Sequence, residues 1–109
     1  MIEIELLEYL ERKLNYPIAY EYEGLKECII LQKTGTANQN SVIVSTFAIQ
    51  SYSTSLLKSA KLNEEVKKAM ELFVEHPNII KSKLNTDYEY TDTRTKKYRY
   101  QCVYDITHY

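Results

Sequence analysis

Tryptophan is absent from this chain, and glycine, proline, cysteine and histidine occur only twice each among its 109 residues. So little glycine and proline excludes a low-complexity or Pro/Gly-rich disordered chain. The two cysteines, Cys28 and Cys102, lack any CxxC or His-linked spacing. They read as buried thiols of a reducing compartment, with a disulfide or a metal role as the lesser alternatives. No apolar run approaches the roughly 20 residues that a membrane-spanning helix needs. The opening MIEIELLEYL carries Glu where an export signal carries Lys or Arg. The length suits a single domain, residues 1–109, with one core.

Excess charge is lacking too. A net charge of −1 argues against a general nucleic-acid binder. The distribution is uneven, however. Residues 1–30 hold seven acids and three bases, whereas residues 31–109 hold eight acids and eleven bases. An acidic end and a basic remainder can meet head to tail between subunits, or simply mix on one folded surface. What is plentiful is tyrosine, 11 residues in all, which favours half-buried sheet surfaces and interfaces where the hydroxyl stays wet.

The spacing predicts a helix over 2–14, with Ile2, Leu6, Leu10 and Leu14 on one side, Leu7 beside them, and Glu5, Glu8 and Glu11 opposite. Pro17 ends it. A short strand is expected at 18–23, with Ile18, Tyr20 and Tyr22 sharing a face, then a turn at Gly24 and a strand at 26–33. TGTANQN reads as a polar hairpin loop, and SVIVSTFAIQSY as a long central strand. Ser53, Thr54 or Ser55 then caps a helix whose apolar stripe is Ala60, Leu62, Val66, Ala69, Met70 and Phe73. Leu57 and Leu72 fall off the stripe, so Leu72 is a candidate contact with a neighbouring subunit. Glu64 and Lys68 are spaced as an i,i+4 ion pair, and Pro77 breaks the helix. A strand at 79–90 should place Ile80, Leu84, Tyr88 and Tyr90 on one face. A strand at 96–107 alternates Tyr98, Tyr100, Cys102, Tyr104 and Ile106 against Lys97, Arg99, Gln101, Val103 and Asp105. The expected fold class is α+β: one mainly antiparallel sheet of about five strands with two helices packed on one face, in the order α-β-β-β-α-β-β.

Signals of covalent chemistry are sparse. His76 and His108 have no carboxylate or cysteine at ligand spacing. KTGTANQN lacks the Gly-Lys-Ser/Thr ending of a phosphate loop, and no serine sits in a Gly-x-Ser-x-Gly elbow. These observations predict no enzyme, no cofactor and no metal. One basic cluster remains, Arg94, Lys96, Lys97 and Arg99 beside Tyr98 and Tyr100. It can hold single-stranded nucleic acid, guard a strand edge, or meet the acidic N-terminal third of another copy. Strand alternation points Lys97 and Arg99 away from Tyr98 and Tyr100, which weakens the nucleic-acid option.

Four pieces together carry a resemblance: NYPIAYEY after a short helix, IILQKTG entering a Thr-Gly hairpin, FAIQSYSTSLLKSAKLNEEVKKAMELF passing from strand to helix almost directly, and the closing strand YRYQCVYDI. In this order the chain resembles the tail-terminator, or tail-completion, proteins of long-tailed non-contractile bacteriophages. The hairpin has one glycine where many such proteins have a pair. The resemblance implies a virion structural protein of a phage or prophage, assembled in the bacterial host cytoplasm. It would form a ring, usually hexameric, at the head-proximal end of the tail. Its partners would be copies of itself, the tail tube protein and the head connector, with DNA passing through but not tightly held, and no membrane. Another neck or connector protein is the alternative in the same setting. A small nucleic-acid-binding module using residues 94–99 is the alternative of another class. Contact elements are expected at the hairpin tip (Lys33, Thr34, Gly35, Asn38 and Asn40) and on the basic strand (Lys97 and Arg99). The acidic face of the first helix, Glu5, Glu8 and Glu11, is the expected partner of that basic strand, and Leu72 is a further contact.

Overall fold

A single hydroxyl closes the junction between strand and helix. In the computed structural model, which describes residues 1–109, the side chain of Ser55 accepts a hydrogen bond from the backbone N–H of Lys58 at 3.1 Å. Ser55 itself is extended, with φ −147° and ψ 163°. Such a cap contributes about 1 kcal/mol and satisfies one of the helix's free donors, so only Thr54 and Ser55 separate the strand ending at Ser53 from the helix starting at Leu56.

The elements are α1 (Ile2–Lys13), β1 (Ile18–Ala19), β2 (Cys28–Gln39), β3 (Val42–Ser53), α2 (Leu56–Glu71), a 3₁₀ turn at Leu72–Glu75, β4 (Ile79–Glu89) and β5 (Tyr98–His108). They give the expected α-β-β-β-α-β-β order and α+β class. The five strands lie in the order β1-β2-β3-β5-β4. All neighbours are antiparallel except β1, which runs parallel to β2 through Ile18 and Ala19. No helix is long and apolar enough to cross a membrane.

Both helices cover one face of the sheet. Ile2, Leu6, Tyr9 and Leu10 of α1 join Leu62, Val66, Ala69 and Met70 of α2, with Phe73, over Ile29, Leu31, Phe47, Ile49, Cys102, Tyr104 and Ile106. The Tyr9 hydroxyl donates to the Ala69 carbonyl at 2.6 Å and ties the helices together. Several polar groups in this layer are paired: Ser45 Oγ lies 2.8 Å from His108 Nε2, and Ser82 donates to the Met70 carbonyl at 2.8 Å. Lys67 bonds to Asp87 at 2.5 Å and to Glu64 at 2.8 Å, and Asn63 donates to the other Asp87 oxygen at 2.6 Å. The ion pair expected between Glu64 and Lys68 is therefore made by Lys67, because Lys67 turns toward β4 and reaches both acids. A second, small cluster of Cys28, Ile30 and Tyr52 lies with Ala19 and Tyr22 on the opposite face.

Four expectations are corrected. The strand expected at 18–23 stops at Ala19, where the chain leaves the sheet. Ile18 packs against the helix-side core, the Tyr20 hydroxyl donates to the Glu3 carbonyl at 3.0 Å, and Tyr22 stacks on Tyr52, so the three do not share a face. The polar loop expected from Thr34 to Asn40 is largely strand. β2 continues through Gln39, and only Asn40 and Ser41, with φ of 47° and 70°, make the turn. Two successive positive φ values suit the right-handed twist of a two-residue hairpin. Finally, Ile80, Leu84, Tyr88 and Tyr90 are not aligned, because register shifts at Ile79/Lys81 and Leu84/Thr86 each reverse the alternation. Ile79 enters the core in place of Ile80. Leu84 stands opposite Tyr104, on the helix side, while Tyr88 stands opposite Gln101, on the other.

Candidate functional site

The sheet face without helices carries a polar and aromatic network. β3 and β5 place Gln50 opposite Gln101 and Tyr52 opposite Arg99. From there one donor follows another. Arg99 Nη1 donates to the Tyr52 hydroxyl at 2.7 Å, and Tyr52 donates to Gln50 Oε1 at 3.5 Å. Gln50 Nε2 donates to Gln101 Oε1 at 2.9 Å, and Gln101 donates to the Tyr88 hydroxyl. Gln50 and Gln101 are buried, so these bonds satisfy groups that water cannot reach.

Cations and rings alternate along the same line. Lys97 Nζ lies 4.6 Å from the Tyr22 ring centre, and Tyr22 stacks on Tyr52 at 4.4 Å and 20°. The Arg99 guanidinium lies 5.6 Å from the Tyr52 ring and 4.2 Å from the Tyr90 ring, and Tyr90 meets Tyr88 edge-on at 5.8 Å. Such contacts add about 0.5–2 kcal/mol each, more where water is excluded. Strand alternation separates Arg99 from Tyr98 and Tyr100 as expected, whereas Lys97 precedes β5 and lines one recess together with Tyr98. Yet three other segments supply tyrosines on the same face as these cations. Reading β5 alone missed this, because the partners become neighbours only through the strand order.

Beside the network, where the ends of β3 and β5 meet the 20–27 segment, a recess of about 260 Å³ opens. Its lining includes Lys26, Lys96, Lys97, Tyr22 and Tyr52, and no acidic residue. The turn that precedes β5 is tied by the Arg94 N–H donating to Asp92 Oδ1 at 3.0 Å and by the Asp92 N–H donating to the Lys97 carbonyl at 3.2 Å. Hydrogen bonds from Thr95 and Arg94 hold the Asp92 carboxyl below its usual pKa.

A group of acidic residues lies on α1. α1 lies over the β1 end of the sheet. Burial, followed by the carboxylates of Glu3, Glu11 and Glu8, raises the Tyr20 hydroxyl pKa. Glu8 and Glu11 are exposed and make no ion pair. Glu5 is engaged with the N-terminal amine at 3.8 Å and faces His76 Nε2 at 3.7 Å.

The remaining candidates fall as follows. Lys33 is paired with Glu3 at 3.5 Å. Thr34 occupies the register shift between Lys33 and Gly35 and donates to the Thr46 carbonyl at 3.4 Å. Gly35 is strand, with open space around it. Asn38 stands opposite Ile43 near the exposed tip, and Asn40 is a turn residue. Leu72 is 49% exposed at the end of α2. Arg99 is half-buried and fully engaged within the chain, whereas Lys97 is exposed. The structure therefore does not bring Lys97 and Arg99 together with Glu5, Glu8 and Glu11 in one subunit.

Two arrangements resemble reactive centres. Ser45 and His108 are at hydrogen-bond distance, and His108 Nδ1 lies 3.1 Å from the Tyr109 carbonyl oxygen, but Ser45 has no exposed surface. Burial pushes the Cys102 thiol up to about 12, so it is held as the neutral thiol. No three His, Cys, Asp or Glu side chains come together as a metal-binding group. No family model and no curated protein matches the chain.

Proposed function

We propose that this protein is a tail terminator: a subunit that closes into a ring on the end of a phage tail tube, stops its growth and offers a fresh surface to the head. One observation carries the reading beyond the resemblance in sequence. Acidic and basic groups are segregated along the chain. Residues 1–14, which contain α1, hold four acids and two bases, and residues 94–99, the turn into β5, hold four bases and no acid. A growing tube end is a heterologous interface that extends until something satisfies it without presenting it again. A subunit with an acidic helix and a basic turn that can attract each other head to tail, and whose two faces differ, suits that task.

The test polymerises purified tail-tube subunits with and without this chain. Short tubes bearing a ring at one end are expected. Tubes of unchanged length without a ring overturn the proposal. Pull-down against tube protein and against head proteins separates a terminator from another neck component. The nucleic-acid reading gains from the tyrosines beside Lys97 and Arg99. It loses more, because Tyr22 is held between Lys97 and Tyr52 and its ring has no free face for a base.

A further inference from the structure

We infer that the lysine recess is a socket for a second copy of this chain, with Glu8 and Glu11 of that copy's α1 entering among Lys26, Lys96 and Lys97; this deepens the ring reading above and rests on it. The socket is a concentration of positive charge without its counterpart. None of the three lysines makes an ion pair, and no carboxylate lines the recess. The backbone is shaped to gather them. Lys96 and Lys97 are adjacent, and a regular strand would send them to opposite faces. Lys96 instead adopts φ of 55°, an uncommon conformation for a side chain of this size, and both residues line the same recess. Lys97 is further fixed by its contact with the Tyr22 ring.

The plug has matching properties. Glu8 and Glu11 stand three positions apart on a rigid helix, and so rise about 5–6 Å apart on one side. Both are exposed and unpaired, unlike Glu3 and Glu5, which have cationic neighbours in their own chain. α1 packs on the helix side of the sheet, while Lys97 lies against the Tyr22–Tyr52 stack on the other side. The recess opens at the end of β3 and β5 and is not lined by Glu8 or Glu11 of its own subunit, so plug and socket are joined between subunits, head to tail.

The experiment mixes two charge-reversed variants. One carries Lys26→Glu, Lys96→Glu and Lys97→Glu; the other carries Glu8→Lys and Glu11→Lys. All five positions are exposed. Circular dichroism first checks that both variants fold. Alone, each has like charges on both halves of the junction, and self-association measured by sedimentation should weaken at least about tenfold relative to the parent chain. Mixed in equal amounts, unlike variants should associate again in strict alternation, with carboxyl–amine cross-links at these positions joining only unlike chains. A mixture no more associated than its components overturns the inference, as does either variant assembling like the parent. If the parent forms rings and the reversed variants form them equally well, this contact fails while the terminator reading stands. If the mixture associates as expected but the parent never caps a tube, the contact stands and the terminator reading fails. Retention of oligo-dT by the parent, lost in the triple variant, with no association in the mixture, assigns the recess to nucleic acid and overturns the inference.

Discussion

Arg99 and Tyr52 face each other across the β3–β5 pair, the guanidinium donating to the phenol at 2.7 Å. Arg99 also donates to the Tyr90 carbonyl and covers the Tyr90 ring. Arg99→Ala removes the bonds and the ring contacts together. A loss of about 2 kcal/mol is expected in urea unfolding. Arg99→Lys should recover less than half, because an ammonium on a flexible stem cannot serve the phenol, the carbonyl and two rings at once. A loss below about 0.5 kcal/mol for Arg99→Ala would show that the side chain is merely surface.

Stability should decline on the alkaline side, above about pH 9. Burial lifts the Cys102 thiol from 9.0 to about 12. Burial, then the charges of Cys102 and Glu71, raises Tyr104 above its ordinary 10.0, and the hydrogen bonds Lys67 donates to Asp87 and Glu64 raise Lys67 above 10.5. A group whose folded pKa is raised contributes stability fully below its unfolded pKa and loses it as pH climbs through the folded value. All three therefore act in the same direction, Cys102 first. Cys102→Ala should make the decline above pH 9 shallower, as measured by urea midpoints at successive pH values. A steeper decline in that variant would contradict the assignment.

Cys28 and Cys102 are both buried and both shifted toward the neutral thiol by burial. Neither should react with a disulfide reagent at neutral pH in the native state, and both should react after unfolding. Rapid native labelling of either thiol would show that its segment opens readily.

Ser41 has φ of 70° in the β2–β3 turn. Ser41→Gly should stabilise the chain by about 0.5–1 kcal/mol, since glycine adopts this conformation without steric cost. Ser41→Val should destabilise by a similar amount or more. Equal thermal midpoints for the two would rule out the turn geometry described here.

Asp87 gathers Asn63 and Lys67 at the seam between α2 and β4. Asp87→Ala strands a buried amide and a mostly covered ammonium, and a cost of about 1–3 kcal/mol is expected in chemical denaturation. Replacing Glu64, whose side chain is 63% exposed, should cost less than half as much.

The helix stripes, the Ser/Thr cap, the five-strand order along the chain and the alternation of β5 were legible because each depends on spacing within one segment. Tyr9, Ser59 and Asn63 were not identified as buried, since their polar atoms hide the apolar role that packing gives them. The faces of β4 were misread because a bulge adds one residue without any compositional mark. Spacing alone puts Arg99 on a contact surface and hides the aromatic network, because its partners lie 9 and 47 positions away in sequence and only the strand order brings them together.

That network draws on four stretches of chain, around Tyr22, Tyr52, Tyr88 and Arg99. Its central links cannot close until β3 and β5 are aligned, a step that carries the loop-closure cost of a distant pairing. The expectation is that it forms late, on the native side of the folding barrier. Weakening it should hasten departure from the native state and leave the speed of arrival almost unchanged. The clasp governs how long a folded subunit endures.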